Sequence, residues 1–284
     1  MMVNVDWQIT GECNRKCAFC FGPSRQSAAL DKKTIFFLVD LFHSIGVRQI
    51  GITGGEPLLR PDIEDVLSYI HEKEILIYLS TNCDFYARHK KIIKENVSVL
   101  GVPLDGSTDA IHSKHRGAGN FAAILNALDD ILGHDIKVKI GTVVTKHNYN
   151  DLHGIERVIH AYDENLLFWK LYDLILYDRN RQCADDLYVS PDDYRSSLRS
   201  LGSRVPADKI IHHSLEKRDG SYFLVRPNGD VFVPRLRSRM STEILLGNLL
   251  TTPMPVILDK WSHHVNSQGY MQDYRLYERS AQHA

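Results

Sequence analysis

Strand-like and helix-like segments alternate along the first 200 residues, and this alternation constrains the fold more than any other feature of the sequence. It is typical of a parallel sheet with its helices packed outside. Six strand–helix units are fewer than the eight of a closed barrel. The sequence therefore predicts an α/β fold, a partial (β/α)6 TIM barrel, with its active site at the carboxyl ends of the strands. The predicted strands are 3–10, 49–53, 75–80, 97–104, 136–145 and 166–176, and the predicted helices are 32–45, 62–73, 84–95, 120–132 and 151–162.

The pattern changes after about residue 200. Two short apolar runs, 221–225 and 231–233, flank an Asn-Gly pair at 228–229, which is a strong signal for a β-hairpin. We therefore expect two parts. Residues 1–200 form the barrel, and residues 201–284 form a C-terminal extension that carries a small β-hairpin and caps the barrel.

Composition excludes several classes of partner. The chain is 43% apolar and 24% charged, with a net charge of −1, so it has no bulk attraction to nucleic acid. No apolar run is long enough to cross a membrane. The first residues show no apolar signal segment, which indicates a reducing, cytoplasmic compartment.

Cys13, Cys17 and Cys20 follow the first predicted strand with the spacing C-x3-C-x2-C. A cubane iron–sulfur cluster is usually held by four thiolates. Three thiolates would leave one iron open to a further ligand, and an open position distinguishes a reactive metal centre from a structural one. These three cysteines are therefore the predicted metal ligands, at the strand end where parallel sheets bind ligands.

Two other uses of three close cysteines stay open at this point. A disulfide would leave one of the three without a partner, because Cys83 and Cys183 are distant in sequence. A structural zinc ion would need a fourth ligand, and no second close pair of cysteine or histidine residues follows. One of the 14 histidines of the chain could still serve as that ligand.

A second motif, Gly54-Gly55-Glu56-Pro57, follows the second predicted strand directly. Two glycines allow the backbone to approach a ligand closely, and the glutamate adds a carboxylate at the strand end. Alone, this loop fits an ordinary strand-to-helix turn equally well. Its position, one strand–helix unit after the cysteine loop, favours a role in ligand binding.

The two motifs in this order resemble those of the radical S-adenosylmethionine (radical SAM) superfamily, and the resemblance covers roughly residues 3–200. It implies that the three cysteines hold a [4Fe–4S] cluster whose free iron binds the amino and carboxylate groups of SAM. Reductive cleavage of SAM would then give a 5′-deoxyadenosyl radical that takes a hydrogen atom from the substrate. The resemblance assigns these SAM contacts: Phe19, Gly54, Gly55, Glu56, Ser80, Asp105, Arg116, Val144 and Asn148.

Two of these assignments have ordinary alternatives. Arg116 is similar to an arginine that pairs with the SAM carboxylate, for which a guanidinium is the natural bidentate partner. The local sequence would be the same for a solvated surface arginine. Asn148 lies after the fifth strand, in the region that flanks adenine, and a simple loop asparagine is its alternative.

The C-terminal runs 222–234 and 246–249 resemble the SPASM/twitch extension, which in many relatives binds auxiliary iron–sulfur clusters. This chain has no cysteine after Cys183, so we expect a single cluster. Segments 168–173 and 188–194 show a local likeness to viperin-like enzymes, which act on nucleotides. They are also similar to cytosylglucuronate decarboxylases, which act on a sugar nucleoside.

We therefore expect an enzyme that acts on a nucleoside, nucleotide or sugar nucleoside, for example by decarboxylation or dehydration in natural-product biosynthesis. The alternatives are a peptide-modifying enzyme, such as an epimerase or crosslinking maturase, and a zinc-binding or structural module. No added N-terminal leader-binding domain is evident, which favours the small molecule. Candidate catalytic residues are Lys170, Tyr172 and Cys183. The expected partners are the small-molecule substrate and an electron donor such as flavodoxin or ferredoxin.

Overall fold

The computed structural model describes residues 4–23, 28–199, 201–237 and 240–271. Within these ranges the strands form one ten-stranded sheet in the order β10-β9-β8-β1-β2-β3-β4-β5-β6-β7. The strands are β1 (Asn4–Gln8), β2 (Gln49–Thr53), β3 (Leu76–Ser80), β4 (Val99–Pro103), β5 (Lys137–Val144), β6 (Leu166–Asp173), β7 (Ile210–His213), β8 (Leu224–Val225), β9 (Asp230–Arg237) and β10 (Met240–Asn248).

Helices follow most of the strands and cover the outer face of the sheet. They are α1 (Lys32–Ser44), α2 (Ile63–Glu72), α3 (Tyr86–Asn96), α4 (Asp109–Arg116), α5 (Asn120–Ile131), α6 (Leu152–His160), α7 (Ala184–Leu187), α8 (Pro191–Leu198), α9 (Leu215–Arg218) and α10 (Met254–Ser262). Short 3-10 turns cover Pro57–Leu59, Tyr149–Asp151, Asp178–Cys183 and Ala207–Lys209.

Strands β1 to β6 pair in sequence order, and every pair is parallel. Side chains alternate between the two faces of each strand. Trp7 in β1 is buried on the outer face, where its ring makes an edge-to-face contact with Phe42 of α1 at 5.6 Å between centroids. Asp6, its neighbour, lines the barrel interior. The predicted partial barrel is therefore confirmed, with an apolar outer layer and a partly polar interior.

Local signals in the sequence explain several element boundaries. Asp31 caps α1, and its side chain accepts the N–H of Thr34 at 2.8 Å. Pro103 ends β4 beyond the last residue pair that joins β3 and β4, so its missing N–H costs that ladder no hydrogen bond. Helix α4 was not predicted, because its eight residues are mostly polar and carry little apolar periodicity.

The C-terminal segment joins the same sheet as the barrel. Its first strand, β8, pairs in parallel with β1, and the predicted hairpin of β8 with β9 is confirmed by the antiparallel register Leu224↔Phe232. Strand β10 then extends the sheet beyond β9, and β7 extends the opposite edge beyond β6. Neither β7 nor β10 was predicted. The division of the chain at residue 200 stays a prediction, and residues 272–284 of the extension lie outside the described residues.

None of the helices in the described ranges has both the length and the apolar character that crossing a membrane requires.

Candidate active site

The loop after β1 carries Cys13, Cys17 and Cys20, all three as free thiols. The backbone N–H of Arg15 donates to Cys13 Sγ at 3.4 Å, and that of Gly22 donates to Cys20 Sγ at 3.3 Å. Arg116 Nη1 lies 3.8 Å from Cys17 Sγ. Each of the three sulfurs therefore has an N–H donor beside it.

The thiols also influence one another. Burial raises the pKa of Cys13, the N–H of Arg15 opposes this, and the nearby charges of Glu56, Cys17 and Cys20 raise it further. Three thiolates this close repel one another unless a cation or a metal cluster lies among them.

Arg15 fastens the cysteine loop to two other parts of the molecule. Its Nε and Nη2 donate to the two carboxylate oxygens of Asp84, each at 2.6 Å. Its Nη1 donates to the carbonyl oxygens of Arg116 and Gly117, at 2.8 and 3.1 Å, just where α4 ends. A guanidinium fits a carboxylate in this bidentate way and complements the negative end of a helix.

Gly54 and Gly55 lie directly against the cysteine loop. A Cβ on Gly54 would overlap the carbonyl oxygen of Thr10, and one on Gly55 would overlap that of Glu12. Gly54 also has a φ of +141°, which disfavours other residues. The N–H groups of Gly55 and Glu56 donate to the Thr10 and Glu12 carbonyls at 2.7 Å. The glycines are thus needed to let the two loops meet.

The Glu56 carboxylate is buried and joins the β2 loop to the β3 loop. Oε1 accepts the N–H of Leu58 at 3.1 Å and the hydroxyl of Thr81 at 2.7 Å. Oε2 accepts the N–H of Asn82 at 2.7 Å. Burial raises its pKa to about 7, and the three hydrogen bonds act in the opposite direction.

Asp105 holds Arg116 beside the cysteines. The fully buried Asp105 carboxylate accepts Nε of Arg116 at 2.6 Å and the N–H of Val143 at 2.8 Å. The guanidinium lies over the ring of Phe19, with Cζ 5.0 Å from its centroid. Arg116 is therefore a fixed cation of the site, unlike a solvated surface arginine.

A cavity of about 350 Å³ runs from the cysteine loop into the barrel. The predicted site residues among its lining are Cys13, Cys17, Phe19, Cys20, Gly54, Gly55, Glu56, Ser80, Arg116, Lys170 and Tyr172. The structure thus brings the cysteine loop, the Gly-Gly-Glu loop and the end of β3 to one space.

Four predicted residues do not line this cavity. Asn148 is buried behind it, where its Nδ2 donates to the carbonyls of Asp105 and Val143 at 3.1 and 3.0 Å. Val144 points into the apolar core, and its neighbour Val143 lines the cavity instead. Cys183 packs in a small apolar cluster with Phe19. Asp105 acts through Arg116. Asn148 and Asp105 therefore position other groups of the site.

We use the term inner end for the part of the cavity lined by side chains of the strands and of the C-terminal segment. It is lined by inward-facing side chains of β1, β3, β5, β6 and β8 and by residues of α9 and the loop after it. These residues are Asn4, Asp6, Tyr78, Lys139, Lys170, Tyr172, Arg218, Tyr222 and Leu224. Only Lys170 and Tyr172 were singled out from sequence. Polar residues at alternate positions of β1, β3 and β5 could have indicated Asp6, Tyr78 and Lys139. Arg218 lies at the end of α9, just after the unpredicted strand β7, and no local sequence signal marks it.

Glycines leave room for these side chains. A Cβ on Gly51 would overlap the carboxylate of Asp6, and a Cβ on Gly101 would overlap the ring of Tyr78. The absence of side chains at these positions opens the barrel interior where the polar groups lie.

The family model for the radical SAM superfamily matches residues 7–159, which is more than half of the chain. This protein belongs to the radical SAM superfamily. Members of the superfamily use a [4Fe–4S] cluster and SAM, and they are enzymes.

Individual relatives agree with this assignment. Fe-coproporphyrin III synthase from Methanosarcina barkeri is 32% identical over 157 residues, covering 53% of this chain and 39% of its own. GTP 3′,8-cyclase from Limosilactobacillus fermentum is 24% identical over 304 residues. The match covers 97% of this chain and 85% of the relative. The chain spans about half the length of the first curated relatives that it matches.

A solved structure supports the fold. Native anSMEcpe with bound AdoMet and the Kp18Cys peptide superposes with a TM-score of 0.72 at 17% identity, covering 95% of this chain and 84% of that one.

The residues of this radical SAM protein fit the cluster and SAM. Three reduced thiols share one loop, and N–H donors and the cationic Arg116 surround their sulfurs. The side-chain-free backbone of Gly54 and Gly55 lies at the mouth of the same cavity. Cys13, Cys17 and Cys20 would hold the cluster, and the loops after β2 and β3 would hold SAM.

Proposed function

We propose that this protein is a radical SAM enzyme that abstracts a hydrogen atom from a small molecule, namely a nucleoside, nucleotide or sugar nucleoside. The observation that carries the proposal is the lining of the inner end. Aromatic, amide and cationic side chains share a barrel interior of modest volume, within the range of small-molecule pockets. Rings that can pack on a base or sugar and polar groups that fix its orientation suit a nucleoside.

The cluster and SAM together supply, when bound, a one-electron cleavage that produces the hydrogen-abstracting radical. The protein supplies position and shielding. Arg116, fixed by Asp105, offers a cation at the cysteine end of the cavity for a carboxylate. Glu56 keeps the β2 and β3 loops in register, so that Ser80 and Asn82 line the same space as the cysteines. Phe19 covers Arg116 and excludes water from one side.

A single cluster follows from the cysteine count, because the chain has no cysteine after Cys183 to hold a second one. The chemistry proposed is therefore redox-neutral or ends with reduction of a product radical, such as decarboxylation or dehydration. Flavodoxin or ferredoxin would deliver the electron, and the cytoplasm would keep the thiols reduced.

A peptide substrate is the second candidate, since anSMEcpe binds a peptide and shares this fold. What favours the small molecule is that Arg218, Tyr222 and Leu224, from the C-terminal segment, line the inner end. This segment thereby narrows the space that a peptide would have to enter, which also supports the proposed division of the chain into a barrel and a capping extension.

The test is SAM cleavage in reconstituted, reduced enzyme. Nucleosides, nucleotides and sugar nucleotides are added separately, and 5′-deoxyadenosine is measured by mass spectrometry. We expect at least one of them to raise the rate above the substrate-free rate, and deuterium from that substrate to appear in 5′-deoxyadenosine. If only peptides raise the rate of SAM cleavage, the substrate is a peptide and the small-molecule proposal is wrong.

A further inference from the structure

Cationic side chains dominate the charge of the inner end. Among the described residues that line it, Lys139, Lys170 and Arg218 are cationic and Asp6 is the single carboxylate. Their exposed fractions are 8%, 1% and 8% respectively. Lysine and arginine are rarely buried this deeply, because removing a charge from water costs several kcal/mol in real proteins. Three cations and one carboxylate give this lining a net positive charge, which favours an anionic ligand.

The ring of Tyr172 brings two of the cations together. Lys139 Nζ lies 5.1 Å from its centroid, and Arg218 Cζ lies 5.0 Å from it. Lys139 also donates to the hydroxyl of Tyr78 at 2.8 Å. Lys170 lies two residues before Tyr172 on β6, on the same face of the strand. Lys139 and Arg218 therefore both lie against the Tyr172 ring, and Lys170 lines the same cavity.

Gly141 leaves space for this arrangement. It pairs with Lys170 across the β5–β6 ladder, and a Cβ there would lie 3.2 Å from Tyr172 Cε2 and 3.6 Å from Lys139 Nζ. A larger residue at this position would displace the ring or the ammonium group.

Arg218 provides an independent sign of a missing ligand. Its Nη1 donates to the carbonyl oxygen of Asp173 at 3.1 Å, but its Nε is buried without a hydrogen-bond partner among the described residues. The Asp173 carboxylate is engaged by Nε2 of His212 at 2.9 Å and by the N–H of Leu215 at 3.1 Å. A buried guanidinium N–H without an acceptor is costly, and an oxyanion would supply that acceptor.

We infer that the inner end binds an oxyanion of the substrate, a carboxylate or a phosphate group, through Arg218, Lys170 and Lys139. Tyr172 packs against the part of the bound substrate next to that oxyanion. Arg218 Cζ also lies 6.0 Å from the ring centroid of Phe21, so the bound oxyanion would lie near the residue that follows Cys20. Identifying the bound molecule as the substrate rests on the proposed function, whereas the anion site itself does not.

The test is calorimetric binding of two probes, inorganic pyrophosphate and succinate, to reconstituted protein with SAM. We expect the wild-type protein to bind at least one probe, and the tighter one distinguishes phosphate from carboxylate. Arg218→Met and Lys170→Met should each raise the Kd about tenfold or more, because each removes one buried positive charge that interacts with the bound anion. Lys137→Met, two residues before Lys139 on β5 and outside the cavity lining, is the matched control and should leave the Kd unchanged.

Lys170→Arg guards against a folding defect, because it keeps the charge and should keep most of the binding. Failure of the wild-type protein to bind either probe would overturn the inference, as would unchanged affinity in well-folded Arg218→Met and Lys170→Met. SAM cleavage without substrate is measured on the same samples. Its absence in a protein that binds anions would contradict the proposed function and leave the anion site standing.

Discussion

Glu56 links the loops after β2 and β3 through one buried carboxylate. The resemblance to the superfamily placed it at SAM, and in the structure its oxygens are occupied by Leu58, Thr81 and Asn82. The sequence could identify the motif but not these contacts, because Thr81 and Asn82 belong to a different loop that lies close only after folding. The same holds for Asp105, whose partner Arg116 is brought near by the unpredicted helix α4.

Cys17 is predicted to be indispensable for the radical step. Cys17→Ala removes a cluster ligand and the sulfur beside Arg116, so formation of 5′-deoxyadenosine should be abolished. Cys183→Ala is the control, because Cys183 does not line the cavity and should support nearly normal cleavage. Cleavage that survives in Cys17→Ala would rule out the assigned ligand set.

His115 gives a pH dependence to stability. Burial lowers its pKa to about 4, from an ordinary 6.5, and the charge of Asp105 opposes this shift. The unfolded chain therefore binds the proton more readily, so stability is lost as the pH falls from about 6.5 to about 4. We expect urea unfolding to show a loss on the order of 2–3 kcal/mol relative to His115→Gln over this range. A difference that stays constant with pH would contradict this assignment.

At the scale of elements, the cysteine loop depends on Arg15 for its position. Strands β1 to β6 and helices α1, α2, α3, α5 and α6 were predictable because each carries an apolar pattern. The attachment of the loop was not, since Arg15, Asp84 and the end of α4 are far apart in sequence. Strand β7 lies on the sheet edge and is only partly buried, so its pattern is weak.

Arg15→Ala is therefore predicted to loosen the cysteine loop. It breaks the pair with Asp84, in which both side chains are mostly buried, and leaves the carboxylate without its main cation. We expect a loss on the order of 2 kcal/mol in the free energy of unfolding and faster release of iron after reconstitution. Lys16→Ala, at the exposed neighbouring position, is the control and should retain iron like the wild type. Equal iron retention in the two variants would show that Arg15 does not hold the loop.

At the scale of the whole molecule, hydrogen bonds join β1 to Tyr270 of the C-terminal segment. The hydroxyl of Tyr270 accepts the N–H of Asn4 at 2.7 Å and donates to its carbonyl at 2.8 Å. The ring of Tyr270 packs edge-on against Trp261, which packs in the same way against Phe223, just before β8. The sequence predicted a C-terminal extension that caps the barrel, but pairing across more than 200 residues is not visible in local patterns. The structure joins that segment to the barrel sheet.

Tyr270→Phe should destabilise the barrel as well as the C-terminal segment. It leaves the N–H and carbonyl of the buried Asn4 without this partner, and each such loss costs about 1–3 kcal/mol. Tyr69→Phe removes a hydroxyl that bonds to Asp40 at the surface and should cost less. Chemical unfolding followed by near-ultraviolet circular dichroism and by tryptophan fluorescence should give coincident, shifted transitions. Two separate transitions would indicate that the extension folds independently.

The central claim is that Cys13, Cys17 and Cys20 hold one [4Fe–4S] cluster whose open iron receives SAM. Its most direct test is anaerobic reconstitution, followed by iron and sulfide analysis and by electron paramagnetic resonance of the reduced protein with and without SAM. We expect about four irons and four sulfides per chain and a cluster signal that changes when SAM is added. Bound zinc without a cluster signal, or about eight irons per chain, would contradict it.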